Sequence, residues 1–302
     1  MRIAVAATPH VAIPTLEAIL NSEHQLISVI TQPDRMAGRG QEMKATPVAE
    51  WAASKNIPLL RPLDSSELRE VSASVDCVVT VGYGVLLPEA IINIPLHGFL
   101  NLHFSLLPRW RGAAPVQRSI QAGDQETGVT VFKLDRGMDT GPIYVQKNFQ
   151  IPQDFRSAEL FQSLSVLGAQ AVLETLNEIR DGVSPREQND LDASVAPKIS
   201  KADALISWAK SGDEILRNIK AFYPSPVAWT QFRGEVLRIE SARNSTLEGL
   251  KPGQLQIIDG GLHIGTGTTA LQLLQVVPAG KKSTDVKAWL NGARIQASDY
   301  FE

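Results

Sequence analysis

A single cysteine in 302 residues leaves no possibility of an intramolecular disulfide. That residue, Cys77, sits in an apolar run over 77–81, where a buried and inert thiol is expected, and the scarcity fits a reducing compartment. No apolar run approaches the length of a membrane span. Pro9, His10 and Pro14 break the N-terminal stretch before it can resemble a targeting signal. Five histidines and one cysteine show no metal-ligand spacing, so no metal is expected. The opening residues read as a βαβ unit, but the G-x-G-x-x-G fingerprint is missing, which sets aside a nicotinamide or flavin cofactor. A cytoplasmic protein without a membrane association is the expectation, with no internal repeat and no low-complexity segment.

What is present suffices for two cores: a 302-residue chain, 43% hydrophobic and 20% charged. The net charge of −3 is unevenly spread, with 11 Lys+Arg against 9 Asp+Glu over 207–302 and an acidic excess before it. A slightly basic C-terminal part can meet phosphates. Strand-like runs at 2–6, 26–30 and 76–83 alternate with helical patterns through Leu16, Ile19 and Leu20, over 47–55 and over 65–73, where Ser65 is a plausible cap. Between them, 32–46 is a long polar segment in which Arg35, Arg39 and Lys44 outweigh Asp34 and Glu42. A long amphipathic helix over 157–179 follows strands at 127–133 and 143–149. Residues 190–201 read as an extended linker, and the short β-like runs after 227 suggest a small barrel. The expected architecture is an open, mostly parallel Rossmann-like α/β sheet followed by an OB-like C-terminal β-barrel. Its divisions fall at 1–189, a linker over 190–206, and 207–302.

The chemistry gathers at NLHFSLLPRWRG (101–112) and GMDTG (137–141). Leu100, Leu102 and Phe104 alternate with Asn101 and His103, which places an amide and an imidazole on one face of a strand. Strands inside such a sheet are usually apolar on both faces, so polar side chains at a C-terminal end mark a ligand crevice. Asp139, held between glycines, can bring a carboxylate from a second loop. An amide donor, an imidazole and a carboxylate around one point suit acyl transfer. Ser105 raises the alternative of a Ser/His/Asp hydrolase, although the G-x-S-x-G elbow is absent.

NLHFSLLPRWRGAAP followed by ETGVTVFKLDRGMDTGPI resembles the signature of the folate-dependent formyltransferases. TQPDRMAGRG, VGYGVLLP, APKISKADALISW, AFYPSPVAW and VPAGKK extend the resemblance, over nearly the whole chain, to the methionyl-tRNA formyltransferases among them. The resemblance implies formyl transfer from 10-formyltetrahydrofolate, a co-substrate, to the α-amine of methionyl initiator tRNA. It puts Asn101, His103 and Asp139 at the catalytic positions. Ser105, Leu106, Leu107 and Pro108 would contact the folate, with Tyr83 and Gly84 nearby. Arg35, Arg39 and Lys44 would meet the acceptor stem, and Lys198, Lys201, Lys281 and Lys282 the tRNA phosphates, in an enzyme working as a monomer. Ala7 stands where the family usually has glycine, Phe104 replaces a smaller residue, and Gln41-Glu42-Met43 makes the basic loop less basic. Formylation of an amino sugar nucleotide and a non-catalytic RNA-binding role are the alternatives.

Overall fold

The computed structural model describes residues 1–37 and 42–302, which form two compact units. The first comprises Met1–Pro115, Glu126–Gln150 and Phe161–Ala196, the second Val116–Gln125, Ile151–Leu160 and Pro197–Glu302.

The chain opens with β1 (Arg2–Ala7), α1 (Ile13–Leu20) and β2 (Gln25–Ile30), then β3 (Arg35–Ala37) and β4 (Glu42–Lys44). Next come α2 (Pro47–Ser54), β5 (Leu59–Leu60), α3 (Leu68–Ala73), β6 (Cys77–Val81) and α4 (Glu89–Ile92). β7 (Phe99–His103), β8 (Arg111–Gly112), α5 (Pro115–Ala122), β9 (Glu126–Lys133) and β10 (Ile143–Gln150) follow, then α6 (Ser157–Arg180) and β11 (Val195–Ala196).

Seven strands of the first unit lie in the order β10-β9-β7-β6-β1-β2-β5. Neighbours from β7 to β5 pair in parallel, whereas β9 pairs antiparallel with both β7 and β10. β6 is buried along its whole length, as a strand covered on both faces requires. Burial pushes the Cys77 thiol up to about 12, so it stays protonated and unreactive. β1 has β2 on one side and β6 on the other, so the strand order reverses there, and the carboxyl ends of β1, β6 and β7 frame the crevice where such sheets bind ligands.

Three local features differ from the sequence expectation. Asp64, not Ser65, caps the turn before α3: its Oδ1 accepts the Ser66 N–H at 2.7 Å, and α3 proper begins at Leu68. Both residue types cap well, and the extended backbone of Asp64 decides between them. The polar segment 32–46 contains a β3–β4 hairpin, in which Met36 faces Met43 and Arg35 faces Lys44. Cross-strand pairing supports this ladder without an alternating apolar pattern. The expected tRNA contact Arg39 lies outside the described residues. Thirdly, residues 190–201 are not simply extended: Asp190–Asp192 form a 3-10 turn, and β11 pairs in parallel with β8.

In the second unit, α7 (Gly212–Ala221) starts at Ser211, whose hydroxyl accepts the Glu214 N–H. Then come β12 (Ala228–Phe232), β13 (Glu235–Asn244), β14 (Leu255–Ile258), β15 (Gly261–Ile264), β16 (Leu271–Pro278), β17 (Thr284–Asp285) and α8 (Val286–Ala293). The antiparallel order is β12-β13-β16-β15-β14. Tyr300 bridges to Gln254 beside β14 and Phe301 to Phe232 at the end of β12, which closes the sheet into a small barrel. Buried Phe301 stacks against Trp208 and Phe232 inside it.

Candidate active site

β7 carries Asn101 and His103 two residues apart at its carboxyl end. Parallel pairing of β6 with β7 sets Thr80 beside Asn101, and the Thr80 hydroxyl donates to Asn101 Oδ1 at 2.7 Å. The same hydroxyl also lies 3.0 Å from the Leu100 carbonyl, and with Oδ1 on Thr80 the Asn101 Nδ2 is the end left to donate. His103 is 5% exposed, and its Nε2–H donates to the Trp110 carbonyl at 2.8 Å. The proton is thereby fixed on Nε2, and Nδ1 faces Asp139 Oδ2 at 3.6 Å.

Trp110 presents its carbonyl from a left-handed backbone, φ 65°, which a bulky residue adopts only when the surroundings enforce it. Here they do. The Trp110 N–H donates to Ser194 Oγ at 2.9 Å, Arg111 N–H to the Ser194 carbonyl at 2.8 Å, and β8 is paired to β11. Gly112 takes φ 125°, and a Cβ there would meet the Ala196 carbonyl oxygen at 2.7 Å, so no side chain fits this crossing.

Asp139 also sits in the left-handed region, φ 55°, which aspartate tolerates. Its Oδ2 accepts the Gly112 N–H at 2.8 Å, tying the acid to the loop that holds His103. The turn around it is organised by Asp135, whose Oδ1 accepts the Gly137 N–H at 2.9 Å and the Thr140 hydroxyl at 2.8 Å. Gly141 passes so close to β9 that a Cβ would collide with the Lys133 carbonyl oxygen. The GMDTG glycine is thus a condition for seating the acid.

The surroundings of the imidazole favour its neutral form. Burial disfavours its cation and lowers the His103 pKa, against the opposing influences of the Asp139 charge and the Trp110 carbonyl. A neutral ring beside a carboxylate is poised to take a proton and have the resulting charge compensated.

The candidate folate residues divide. Ser105 is fully buried, and its hydroxyl donates to the Arg109 carbonyl at 2.6 Å, so the hydrolase alternative loses its nucleophile. Leu107 is buried with Phe132 and Ile143, and its backbone is tied by Thr130 and Gln146. Leu106 and Pro108 keep exposed surface. Tyr83 is buried, its phenol pushed up by burial, while Gly84 is exposed. The Tyr83 carbonyl accepts from Gln32 Nε2 at 2.7 Å and Thr8 Oγ1 at 3.3 Å, and Gln32 Oε1 in turn takes Arg35 Nη2. Arg35 and Lys44 are exposed on the hairpin, and in the second unit Lys198, Lys201, Lys281 and Lys282 are exposed as well. Among the described residues no cluster of His, Cys, Asp and Glu could hold a metal, and no helix is long and apolar enough to cross a membrane.

Sequence reasoning missed Thr80, the Trp110 carbonyl, the Gly112 N–H and Gln188. Thr80 had a signal, being the one hydroxyl in the apolar run of β6. The two backbone groups had none.

A mostly parallel sheet with an amide, an imidazole and a carboxylate brought to the carboxyl end of β7 suits an acyl-transferring enzyme, and the comparisons specify the acyl group. The Formyl transferase family matches residues 1–176, and the Formyl transferase, C-terminal domain, matches 198–294; the chain belongs to this family. A methionyl-tRNA formyltransferase of Nocardioides sp. is 40% identical over 304 residues, covering 98% of this chain and 96% of the relative. Within the family the chain therefore groups with the methionyl-tRNA formyltransferases. The solved methionyl-tRNA formyltransferase from Clostridium thermocellum superposes with TM-score 0.61 at 17% identity, covering 82% of this chain and 95% of that one. HypX from Aquifex aeolicus in complex with tetrahydrofolic acid gives TM-score 0.69 at 16% identity, over 97% of this chain and 47% of that chain.

Proposed function

We propose that this enzyme transfers the formyl group of 10-formyltetrahydrofolate to the α-amine of methionyl initiator tRNA in the cytoplasm, acting as a monomer. The observation that carries the reading is the convergence of His103 and Asp139, 3.6 Å apart, at the end of the strand that also carries Asn101, whose amide lies against Thr80. Residues 1–189 then form the catalytic domain, 190–206 the linker and 207–302 the tRNA-binding domain.

The folate fits the surroundings by its chemistry. Val85 and Leu86, 41% and 93% exposed, follow the Tyr83-Gly84 turn and offer apolar surface to a flat heteroaromatic ring. Leu106 and Pro108 supply more such surface at the β7 end, whereas Ser105 and Leu107 act from behind by fixing the loop.

The α-amine has an ordinary pKa of roughly 7.7–8.0, so a usable fraction is neutral near pH 7. Its nitrogen attacks the formyl carbon, and the carbonyl electrons move onto oxygen. Asn101 Nδ2 donates to that oxygen, a contact typically worth about 3–4 kcal/mol in the transition state. The proton leaving the attacking nitrogen passes to the His103–Asp139 pair. As the bond from carbon to the folate nitrogen breaks, the same pair returns the proton to that nitrogen. Bonds and protons balance without an outside acid or base.

Arg35, Arg39 and Lys44 in the 32–46 segment serve the acceptor stem, and Lys198, Lys201, Lys281 and Lys282 the tRNA backbone. The test supplies 10-formyltetrahydrofolate with charged initiator tRNA and, in parallel, an amino sugar nucleotide. Formyl-methionyl-tRNA is the expected product; label on the sugar instead would overturn the acceptor assignment.

A further inference from the structure

We propose that Gln188 is a positioning residue for the His103–Asp139 pair, its carboxamide fastening the turn that carries Asp139 to the loop that holds His103. The inference rests on the formyl-transfer reading and adds a residue from outside both motifs.

Gln188 Nε2 donates to the Asp139 carbonyl at 2.9 Å and to the Gly141 carbonyl at 2.8 Å. Its Oε1 accepts from Arg111 Nε at 3.1 Å and Arg111 Nη2 at 2.7 Å. Two donors and two acceptor sites are all that a carboxamide has, and each is used. One pair of bonds falls on the 137–141 turn and the other on the first residue of β8, next to the Gly112 N–H that grips the Asp139 carboxylate. Asp139 is therefore held at both ends, its side chain by Gly112 and its carbonyl by Gln188. Arg111 is itself steadied by Asp190 at 2.7 Å. Gln188 arrives from a fixed point, because Arg186 and Ile143 exchange both backbone hydrogen bonds, at 2.7 and 2.8 Å.

The chemistry selects the residue type. Glutamate could accept from Arg111 but could not donate to the two carbonyls. Lysine could donate but would meet Arg111 with a like charge. Asparagine carries the right group on a stem one methylene shorter. The side chain is half-buried, and all of its polar capacity is spent on those four bonds.

The experiment compares wild type, Gln188→Ala and Gln188→Glu, each alone and combined with Asp139→Asn, in single-turnover formylation of charged initiator tRNA. The His103 ring is titrated by NMR in the same proteins. Expected are a loss of about 10- to 100-fold in the chemical rate for both single variants and binding of folate and tRNA within about twofold of wild type. The His103 pKa should fall in Gln188→Ala, as the Asp139 charge drifts from Nδ1. In the Asp139→Asn background the Gln188 substitutions should add little, because the two residues act through one path. Equal fold-losses in both backgrounds, or an unmoved His103 titration, would overturn the inference even with turnover intact. Should Gln188→Ala fail to fold, Gln188→Glu, which keeps the Arg111 contacts, decides the question by the same two readouts. A wild type that formylates no tRNA would instead sink the parent reading, and the NMR titration would still judge the Gln188–Asp139–His103 linkage.

Discussion

His103 Nδ1 stands 3.6 Å from Asp139 Oδ2 while its other ring nitrogen is tied to the Trp110 carbonyl. The separation is too long for a strong neutral hydrogen bond and short enough for a carboxylate to stabilise an imidazolium.

The pH profile follows with a definite sign. Burial lowers the His103 pKa below its ordinary value of about 6.5, so formylation should fall on the acid side as the ring charges below that value. Asp139→Asn removes the charge that favours the imidazolium and should move that limb to lower pH, along with a loss of rate. Plotting kcat/KM against pH for both proteins checks the direction.

Stability shares that acid limb. His103, His24 and His263 all have pKa values lowered by burial, so the unfolded chain binds more protons than the folded one between those values and about 6.5. The stability they contribute is complete above about pH 6.5 and is lost as the pH falls through the folded values. Denaturant titrations at pH 7.5 and 5.5 should show a lower midpoint at 5.5, without a change of slope.

Asn101→Ala should cost about 10²- to 10³-fold in kcat with little change in KM, as expected for an oxyanion donor. Thr80→Val keeps the shape of a buried side chain but frees the Asn101 amide to rotate, and a loss of about tenfold is expected. Steady-state kinetics on the two variants and their combination would show effects that do not add.

Ser105→Ala should retain formyl transfer, since the hydroxyl serves only the Arg109 carbonyl. Leaving that carbonyl without its donor should lower stability by about 1–3 kcal/mol. Turnover measured beside a melting curve separates the two effects.

Affinity for tRNA should fall steeply between 50 and 200 mM salt, and replacing Lys281 and Lys282 with alanine should reduce the slope by about 2 on a log–log plot. An unchanged slope would remove those lysines from the phosphate contacts.

The placement of Asn101 and His103 together on one strand was legible because strand alternation is a local signal, while the pairing of His103 with Asp139 from a distant turn was anticipated chiefly through the resemblance. The parallel sheet was legible from a local signal as well, the apolar run of β6. What stayed hidden depends on residues far apart in the chain meeting across loops. The β8–β11 pairing joins Arg111 to Val195, and nothing in the polar composition of 190–201 announces it. Gln188 meets Arg111 and Asp139 only after folding. The Asp64 cap and the β3–β4 hairpin were obscured differently, by neighbouring residues of similar propensity and by the lack of an apolar period.

Trp110 reaches His103 through its carbonyl, and Gly112 reaches Asp139 through its N–H. Two of the anchors of this centre are consequently main-chain groups, which a substitution reaches only indirectly, through the left-handed backbone at 110 or through the Cβ it would press on the Ala196 carbonyl at 112. Substitutions at position 110 are then tolerated or rejected by whether the newcomer endures the left-handed twist, so a glycine or asparagine there should be milder than a valine of more conservative polarity.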